Sequence, residues 1–296
     1  MSESVMPESV MPDDIAIEVH DLRKQYGDLW AVDGVDLDVK RGEVVAVLGP
    51  NGAGKTTTTE ILEGYRQRDA GTVSVLGVDP AHGNRAWRTR LGIVLQSARD
   101  LGELTVAESV SHFAAYYPSP RDSDEVIDIV GLSEKRDARA GQLSGGQRRR
   151  LDVALGIIGR PEVLFLDEPT TGFDPEARRG FWSLIESLKA EGTSILLTTH
   201  YLDEAEALAD RVFVIARGKV VAHGPPETLA GRRTALAVVS WSEDGRHHRE
   251  ETATPTALVA DISRRLGGEV PELSVTRPSL EDTYLELIDS DEDVTA

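Results

Sequence analysis

The chain has 296 residues, no cysteine and a formal net charge of −19. The lack of cysteine excludes disulfides, thiolate metal sites and thiol catalysis, and the acidic excess argues against nucleic acid as a partner because phosphate binding needs clustered Lys and Arg. The longest apolar runs have strand length and fall short of the roughly 20 residues of a membrane span. We therefore expect a protein that neither crosses a membrane nor carries an export signal.

The N-terminal segment contains the pentapeptide ESVMP twice in tandem, at residues 3–12. Its Pro, Ser and acidic content predicts a disordered tail over residues 1–14. We hypothesise that Met6 or Met11 is an alternative translation start to Met1.

An antiparallel strand set is predicted over residues 15–47, where apolar and polar residues alternate in short pieces broken by Gly and Asp. The last piece, GEVVAVLG, is continuously apolar and indicates a fully buried strand. It leads directly into GPNGAGKT at residues 49–56, which matches Gly-x4-Gly-Lys-Thr, and a helical segment follows. This order of strand, loop and helix predicts a phosphate-binding loop, with an ordinary glycine-rich turn as the alternative.

The chemistry of this loop indicates the phosphates of a nucleotide and Mg²⁺. Gly52 and Gly54 let successive backbone N–H groups face one anion, and the helix N-terminus adds the positive end of its dipole. Lys55 can then reach the β and γ phosphates, and the Thr56 hydroxyl can bind Mg²⁺. The predicted nucleotide-binding loop consists of Gly49, Pro50, Asn51, Gly52, Ala53, Gly54, Lys55, Thr56 and Thr57.

A helical subdomain is predicted over residues 97–160, because helix-spaced segments follow one another there without a clear strand. Strands and helices then alternate again, which implies parallel strands with crossover helices. After about residue 231 the composition shifts to short polar strands and a final amphipathic helix. We predict an α/β fold: a P-loop NTPase core with a mainly parallel sheet, an antiparallel β subdomain and the helical subdomain within residues 15–231, followed by a small α+β C-terminal module at 232–296.

Four polar side chains stand at or just after the predicted carboxyl ends of apolar strands, the edge of a parallel sheet where ligands bind. Asp167 is expected to hold Mg²⁺ through water, and Glu168 to act as the general base toward an attacking water. Gln96 is assigned to Mg²⁺ and water, and His200 to contact with the γ phosphate. The alternative for each is an ordinary solvated strand terminus.

Two further features lie outside these motifs. Tyr26, upstream of the loop, is expected to stack on adenine, with Trp30 as the rival aromatic and a half-buried strand side chain as the alternative. Arg148, Arg149 and Arg150 suggest anion binding, but a run of charges on a helix is usually a solvated face, and that is what we expect here.

The segments GPNGAGKTT, LSGGQ, LFLDEP, GFDP and TTH, together with Gln96, resemble the nucleotide-binding domain of ABC transporters over about residues 15–225. LSGGQ at residues 143–147 is the most telling of them, since P-loop kinases and GTPases do not need it. The resemblance implies a head-to-tail dimer in which two ATP molecules are each held between the P-loop of one chain and the LSGGQ segment of the other. It also implies an active ATPase, because no catalytic position is missing.

The resemblance assigns a role to each matching residue. The implied roles are adenine stacking for Tyr26, the Walker A loop for Gly49 to Thr57, the Q-loop glutamine for Gln96, the signature for Ser144, Gly145, Gly146 and Gln147, the Walker B pair for Asp167 and Glu168, the D-loop for Asp174, and the switch histidine for His200. Phe173 stands where leucine is commoner in the family, a departure expected to affect packing rather than chemistry. Gly145 and Gly146 would begin a helix whose bare N–H groups approach the γ phosphate of the other subunit's ATP.

Three more segments, LEGYR, TTHYLDEAEALADRV and PSLEDTYLEL, resemble the ATPase subunits of drug-resistance-type ABC-2 exporters, which include daunorubicin-type antibiotic exporters. This narrower resemblance implies a separate membrane permease, docked by Gln96 and about residues 97–140, and a peripheral position at the cytoplasmic face of the membrane. The implied function is ATP-driven export of a drug, antibiotic or lipid-like compound. The alternative is a stand-alone soluble ABC-type ATPase that acts as a regulatory switch. The C-terminal module is expected to complete the dimer, with a ligand sensor as the alternative.

Overall fold

The computed structural model describes residues 14–94 and 102–293. Gln96 and all but the last residue of the predicted tail at 1–14 lie outside the described residues. The chain divides into two compact units, Met1–Val220 and Val221–Ala296. The predicted domain ranges, 15–231 and 232–296, stay predictions.

The first unit is built on two sheets. Within the described residues its strands are, in chain order, β1 (Ile15–Tyr26), β2 (Leu29–Lys40), β3 (Val44–Leu48), β4 (Ala70–Val75), β5 (Leu91–Val94), β6 (Val163–Asp167), β7 (Ser194–Thr199), β8 (Arg211–Ala216) and β9 (Lys219–Gly224), the last of which continues into the second unit. One sheet is antiparallel and has the order β2-β1-β4. The other has the order β5-β6-β7-β3-β8-β9. In this order, each strand from β5 to β8 is parallel to its neighbour.

Helices alternate with the strands of the first unit along the chain. Within the described part of the first unit they are α1 (Lys55–Leu62), α2 (Arg85–Arg88), α3 (Val106–Ala114), α4 (Ser123–Ile129), α5 (Gly145–Ile157), α6 (Pro175–Ala190) and α7 (Leu202–Leu208). The stretch between β5 and β6 contains α3, α4 and α5 and, over its described residues, no strand, as the sequence predicts for a helical subdomain.

The centre of the six-stranded sheet positions the chemistry. Every residue of β3 and β7 is buried, as expected for parallel strands covered on both faces. In the register of the sheet Leu48 pairs with Thr199, and Asp167 pairs with Thr198. The segments that follow β3, β6 and β7 therefore start at one common edge.

The second unit has its own small sheet and core. Its strands β10 (Ala237–Glu243), β11 (Arg246–Thr252) and β12 (Ser274–Thr276) form an antiparallel sheet of order β11-β10-β12. Helix α8 (Pro255–Leu266) packs on this sheet through a cluster that includes Trp241 and Ile262, and α9 (Leu280–Asp293) follows.

The architecture agrees with the predicted fold class in each of its parts: a mainly parallel central sheet, an antiparallel β subdomain, a helical subdomain and an α+β C-terminal unit. Across residues 14–94 and 102–293, no helix has the length and apolarity needed to cross a bilayer.

Candidate active site

The glycine-rich loop after β3 wraps around the side chain of Lys55. This side chain is buried, and its Nζ donates hydrogen bonds to the carbonyl oxygens of Gly49 at 2.7 Å and Pro50 at 3.1 Å. Burial lowers the pKa of Lys55, and the nearby Glu168 and Asp167 carboxylates oppose that fall. Lys55 therefore lies near the carboxylates of Asp167, the predicted Mg²⁺ ligand, and Glu168, the predicted general base.

Gly54 is the residue that lets the loop turn into α1. It has φ 106° at the N-cap of the helix, a conformation that side chains rarely adopt. A Cβ atom at this position would lie 2.2 Å from the carbonyl oxygen of Ala31. Both the backbone conformation and the close approach of β2 therefore require glycine here.

An open cavity of about 530 Å³ lies over this loop. That volume is typical of a small-molecule site. It is lined by Tyr26, Ala31, Asn51, Gly52, Gly54, Lys55, Thr56, Thr57 and Glu168. The fold thus brings together the glycine-rich loop, an aromatic side chain and the predicted general base.

The two aromatic candidates for the base-binding position differ in placement. Tyr26 and Trp30 are each about two-fifths exposed, but only Tyr26 is among the described residues that line the cavity. Two cations lie near the Tyr26 ring, with Lys24 Nζ at 5.6 Å and Arg66 Cζ at 5.4 Å from its centroid. The arrangement favours Tyr26 as the stacking residue.

The acidic pair stands at the end of β6. Asp167 is the last residue of the strand, and its Oδ1 accepts a hydrogen bond from the Thr198 hydroxyl on β7. Glu168 follows with φ 46°, and its backbone N–H donates to the Thr198 carbonyl at 3.0 Å. The end of β7 thus holds the Asp167 carboxylate and the backbone of Glu168.

The carboxylate of Glu168 meets the predicted switch histidine. Its Oε1 lies 3.4 Å from His200 Nδ1, and its Oε2 accepts a 3.4 Å hydrogen bond from the Thr171 hydroxyl. The His200 ring lies 4.1 Å from the ring of Tyr201, over which the Arg178 guanidinium stacks at 4.7 Å. Tyr201 and Arg178 are neighbours of the site that sequence reasoning missed.

The LSGGQ segment forms the start of α5. Ser144 is the N-cap, and it exchanges hydrogen bonds with Gln147: the Ser144 hydroxyl accepts from the Gln147 N–H, and Gln147 Oε1 accepts from the Ser144 N–H. A Cβ at Gly145 would meet nothing within 4 Å, and one at Gly146 would meet only the Phe173 ring at 3.8 Å. The fold of this chain therefore does not itself require glycine at either position.

The signature residues line a cavity of their own, of about 460 Å³. Its lining consists of Gly131, Ser144, Gly145, Gly146, Gln147, Arg150, Gly172, Phe173, Asp174, Glu176 and Ala177. None of these residues lines the cavity over the glycine-rich loop. A single chain thus keeps the two predicted parts of the ATP site apart.

The D-loop residues have structural roles within the chain. Asp174 is the N-cap of α6, and its Oδ1 accepts hydrogen bonds from the N–H groups of Glu176 and Ala177, the latter being the largest cause of its lowered pKa. Phe173 is buried and packs edge-on against Phe181, with ring centroids 6.0 Å apart. This packing fits the expectation that the change from leucine affects packing rather than chemistry.

The expectation of a solvated arginine face is wrong for Arg149. Its side chain is 7% exposed, and its guanidinium donates hydrogen bonds to the carbonyl oxygens of Asp167 and Pro169. The reason is that α5 is buried on every side from Leu151 to Ile157, so Arg149 enters the protein interior at the start of that buried segment.

Oxygen atoms are available for a magnesium ion, although Gln96 lies outside the described residues. The described residues hold no group of three or more His, Asp or Glu side chains with the spacing of a metal site. Thr56 lines the cavity and Asp167 ends β6, and a hydroxyl and a carboxylate supply the oxygen ligands that Mg²⁺ takes beside waters and substrate phosphates. Their role as metal ligands stays a prediction.

Comparison with known proteins decides the family. Residues 32–171 match the family model described as ABC transporter. The chain is 38% identical over 308 residues to the daunorubicin resistance ATP-binding protein DrrA3 of Streptomyces coeruleorubidus, covering 94% of this chain and 97% of that protein. The chain belongs to the ABC transporter family. This confirms the predicted family and the predicted ATPase activity.

Other family members are similar over most of the chain. A Nod factor export ATP-binding protein I from Ralstonia nicotianae is 43% identical over 229 residues, which cover 75% of this chain and 71% of that protein. A solved ATP-binding subunit of an ABC transporter superposes with TM-score 0.69 at 25% identity, covering 92% of this chain and 99% of that one. CbiO1 from Clostridium perfringens, part of the ABC transporter complex cbiONQ, has TM-score 0.66 at 31% identity, covering 72% and 90%. This chain is thus an ATP-binding subunit of the ABC transporter family, while the roles of individual site residues stay predictions.

Proposed function

We propose that this ABC ATPase is the motor subunit of an exporter: it pairs head to tail with a second copy, closes on two ATP molecules, and drives a separate membrane permease. The observation that carries the proposal is the separation of its two half-sites. Lys55 and Glu168 line one cavity, while Ser144 to Gln147 line another, where a Cβ on Gly145 would meet open space and one on Gly146 only the Phe173 ring. Each half lacks what the other half offers, which suits a site completed by a second chain.

The proposed chemistry assigns one task to each described group. Lys55 binds the β and γ phosphates, and Thr56 and Asp167 hold Mg²⁺. Glu168 accepts the proton of a water whose oxygen attacks the γ phosphorus, and ADP leaves with the electrons of the broken P–O bond. His200, 3.4 Å from Glu168, contacts the γ phosphate from the same edge of the sheet. Catalysis would then consist mainly of positioning and charge stabilisation.

The signature half-site would bind the γ phosphate of the partner's ATP from the side opposite the P-loop. The backbone N–H groups of Gly145 and Gly146 and the Ser144 hydroxyl would face the γ phosphate of the partner's ATP, at the positive end of the α5 dipole. With one copy of each motif, two identical subunits would form two complete sites.

The export and cargo parts of the proposal are supported by the names of relatives rather than by the geometry. Names of similar proteins refer to daunorubicin resistance and to Nod factor export. We propose a drug-, antibiotic- or lipid-like cargo, selected by the permease, and a peripheral position of this ATPase at the cytoplasmic face of the membrane.

A complementation experiment tests the head-to-tail dimer. Lys55→Ala disables the P-loop half, and Gly145→Asp places a carboxylate in the signature half, where an added side chain meets open space and an acidic residue suits the first helical turn. Each purified full-length variant should lack MgATP hydrolysis. An equal mixture should recover about a quarter of the wild-type rate, because half of the dimers are mixed and each mixed dimer has one intact site of two. A mixture that stays inactive would contradict the shared site.

Purification from detergent-solubilised membranes tests the partner. Recovery of a polytopic membrane protein with the tagged ATPase would support the exporter. Recovery of only soluble or ribosomal proteins would support the regulatory-switch alternative instead.

A further inference from the structure

The arginine run after the signature contains one residue that the proposed chemistry does not use. Arg149 is buried, whereas its neighbours Arg148 and Arg150 are partly exposed. Burying a guanidinium is unfavourable unless its donors are satisfied. The position of its hydrogen-bond acceptors therefore indicates what the side chain does.

The guanidinium of Arg149 spans the turn that contains Glu168. Its Nη2 donates to the Asp167 carbonyl at 2.5 Å, and its Nε donates to the Pro169 carbonyl at 3.1 Å. These carbonyls belong to the residues immediately before and after Glu168. Glu168 itself has φ 46°, in the left-handed region that is sparsely populated by residues with a side chain and that persists only when surrounding contacts enforce it.

We propose that Arg149 is a positioning residue for ATP hydrolysis: by binding both carbonyls that flank Glu168, it fixes the backbone that aims the Glu168 carboxylate into the nucleotide cavity. This inference rests on the proposed function, in which Glu168 is the general base. Arginine suits the task because its rigid fork presents several donors at once, whereas a lysine ammonium is a single point charge.

Carboxylates around Arg149 oppose the effect of burial on its guanidinium. Burial lowers the pKa of the guanidinium, and the carboxylates of Asp152, Asp167, Glu204 and Glu168 all oppose that fall. Asp152 lies on the same helix, Asp167 and Glu168 at the end of β6, and the buried Glu204 on α7. An arginine surrounded in this way holds its two carbonyl contacts as charge-assisted hydrogen bonds.

Helix α5 gives this contact a second consequence. The helix begins at Gly145, and Arg149 lies four residues further on, about 6 Å along the axis at 1.5 Å per residue. The start of this one helix would therefore contact the partner's ATP. One turn later, Arg149 of the same helix binds the carbonyls that flank Glu168 in its own chain. Movement of α5 when the dimer closes would reach Glu168 of the same chain and so couple the two ATP sites.

The test compares three full-length variants with the wild type. Arg149→Met removes both hydrogen bonds at similar length, Arg149→Lys keeps the charge without the fork, and Arg148→Met removes a charge one residue earlier on the same helix. We expect kcat for MgATP to fall about 10- to 100-fold in Arg149→Met and less in Arg149→Lys, because misplacing a catalytic group by about 1 Å has effects of that order. ATP Kd should stay within about threefold, and Arg148→Met should behave like the wild type.

A second comparison separates positioning from general stability. In the Glu168→Gln background, Arg149→Met should cause no further loss in single-turnover hydrolysis, because Arg149 acts through the carboxylate already removed. The inference is overturned if the rate losses of Glu168→Gln and Arg149→Met multiply in the double variant. It is also overturned if Arg149→Met lowers the melting temperature and the ATP affinity together with the rate. If Arg149→Met does not fold, Arg149→Lys decides by the same comparison. A wild type without ATPase activity, or an active Glu168→Gln, contradicts the proposed function. A normal Arg149→Met beside an active wild type contradicts only this inference.

Discussion

Replacing the signature glycines by alanine should stabilise the chain and impair its ATPase activity. Gly145 and Gly146 occupy the first turn of α5, and neither has the positive φ that would penalise a side chain. An alanine Cβ would meet nothing within 4 Å at Gly145 and only an ordinary 3.8 Å contact with Phe173 at Gly146. Within one chain, each substitution therefore relieves the conformational cost of glycine in a helix without a clash.

The size of the gain follows from helix propensity. Glycine is less favourable than alanine by up to about 1 kcal/mol in a helix, so the double variant should gain about 1–2 kcal/mol. For a unit of this size that corresponds to a rise in melting temperature of very roughly 2–8 °C. Gly54→Ala is the matched control and should lower the melting temperature instead, because its Cβ would lie 2.2 Å from the Ala31 carbonyl oxygen.

The functional loss has a different origin. If the N–H groups of Gly145 and Gly146 face the partner's γ phosphate, two added methyl groups hold that phosphate away, and the closed dimer and its ATPase rate should both weaken about 10-fold or more. Melting curves without nucleotide and steady-state ATPase rates measure the two effects separately. A double variant that keeps full activity would refute the assignment of these glycines to the partner's ATP. One that melts lower than the wild type would refute the claim that the chain does not need them.

Two further predictions concern Tyr26 and Glu63. Tyr26→Ala should weaken ATP binding about 10-fold, since stacking of a base on an aromatic ring contributes roughly 1–3 kcal/mol. Trp30→Ala should change it less than about twofold, and equal losses in titration calorimetry would contradict this distinction. Burial raises the pKa of Glu63 from 4.5 to about 8, so the folded state binds this proton more tightly than the unfolded state. Its contribution to stability is present below pH 4.5 and is lost as the pH rises toward 8. Melting temperature should therefore fall less with rising pH in Glu63→Gln than in the wild type. The same dependence of melting temperature on pH in both proteins would contradict this role of Glu63.

Much of the site could be predicted because each part is encoded locally. The glycine-rich loop lies between a continuously apolar strand and a helix, and Asp167, Glu168 and His200 each stand where an apolar strand ends. Parallel strands bring such ends to one edge, so local patterns were sufficient to predict that these groups meet.

The contacts that sequence reasoning missed depend on tertiary packing. Nothing in the local sequence of Tyr201 shows that Arg178, from another helix, stacks over its ring. Arg149 was expected on a solvated face because it belongs to a run of like charges. The available signal was the long apolar segment after it, since a helix buried on every side from Leu151 onward must also bury part of its first turn.

Three departures from local rules occur in the Glu168 turn and the first turns of α5, and they have different explanations. Glu168 in a left-handed conformation and Arg149 in the interior offset one another, because the buried guanidinium binds the carbonyls on either side of the strained residue. Gly145 and Gly146 have no such compensation within the chain, since open space surrounds one and an ordinary ring contact the other. A cost that is not offset inside the chain is expected where a ligand from outside completes the site. Because Arg149 and the two glycines all lie in the first turns of α5, that helix is the element through which binding of the partner's ATP would reach the general base.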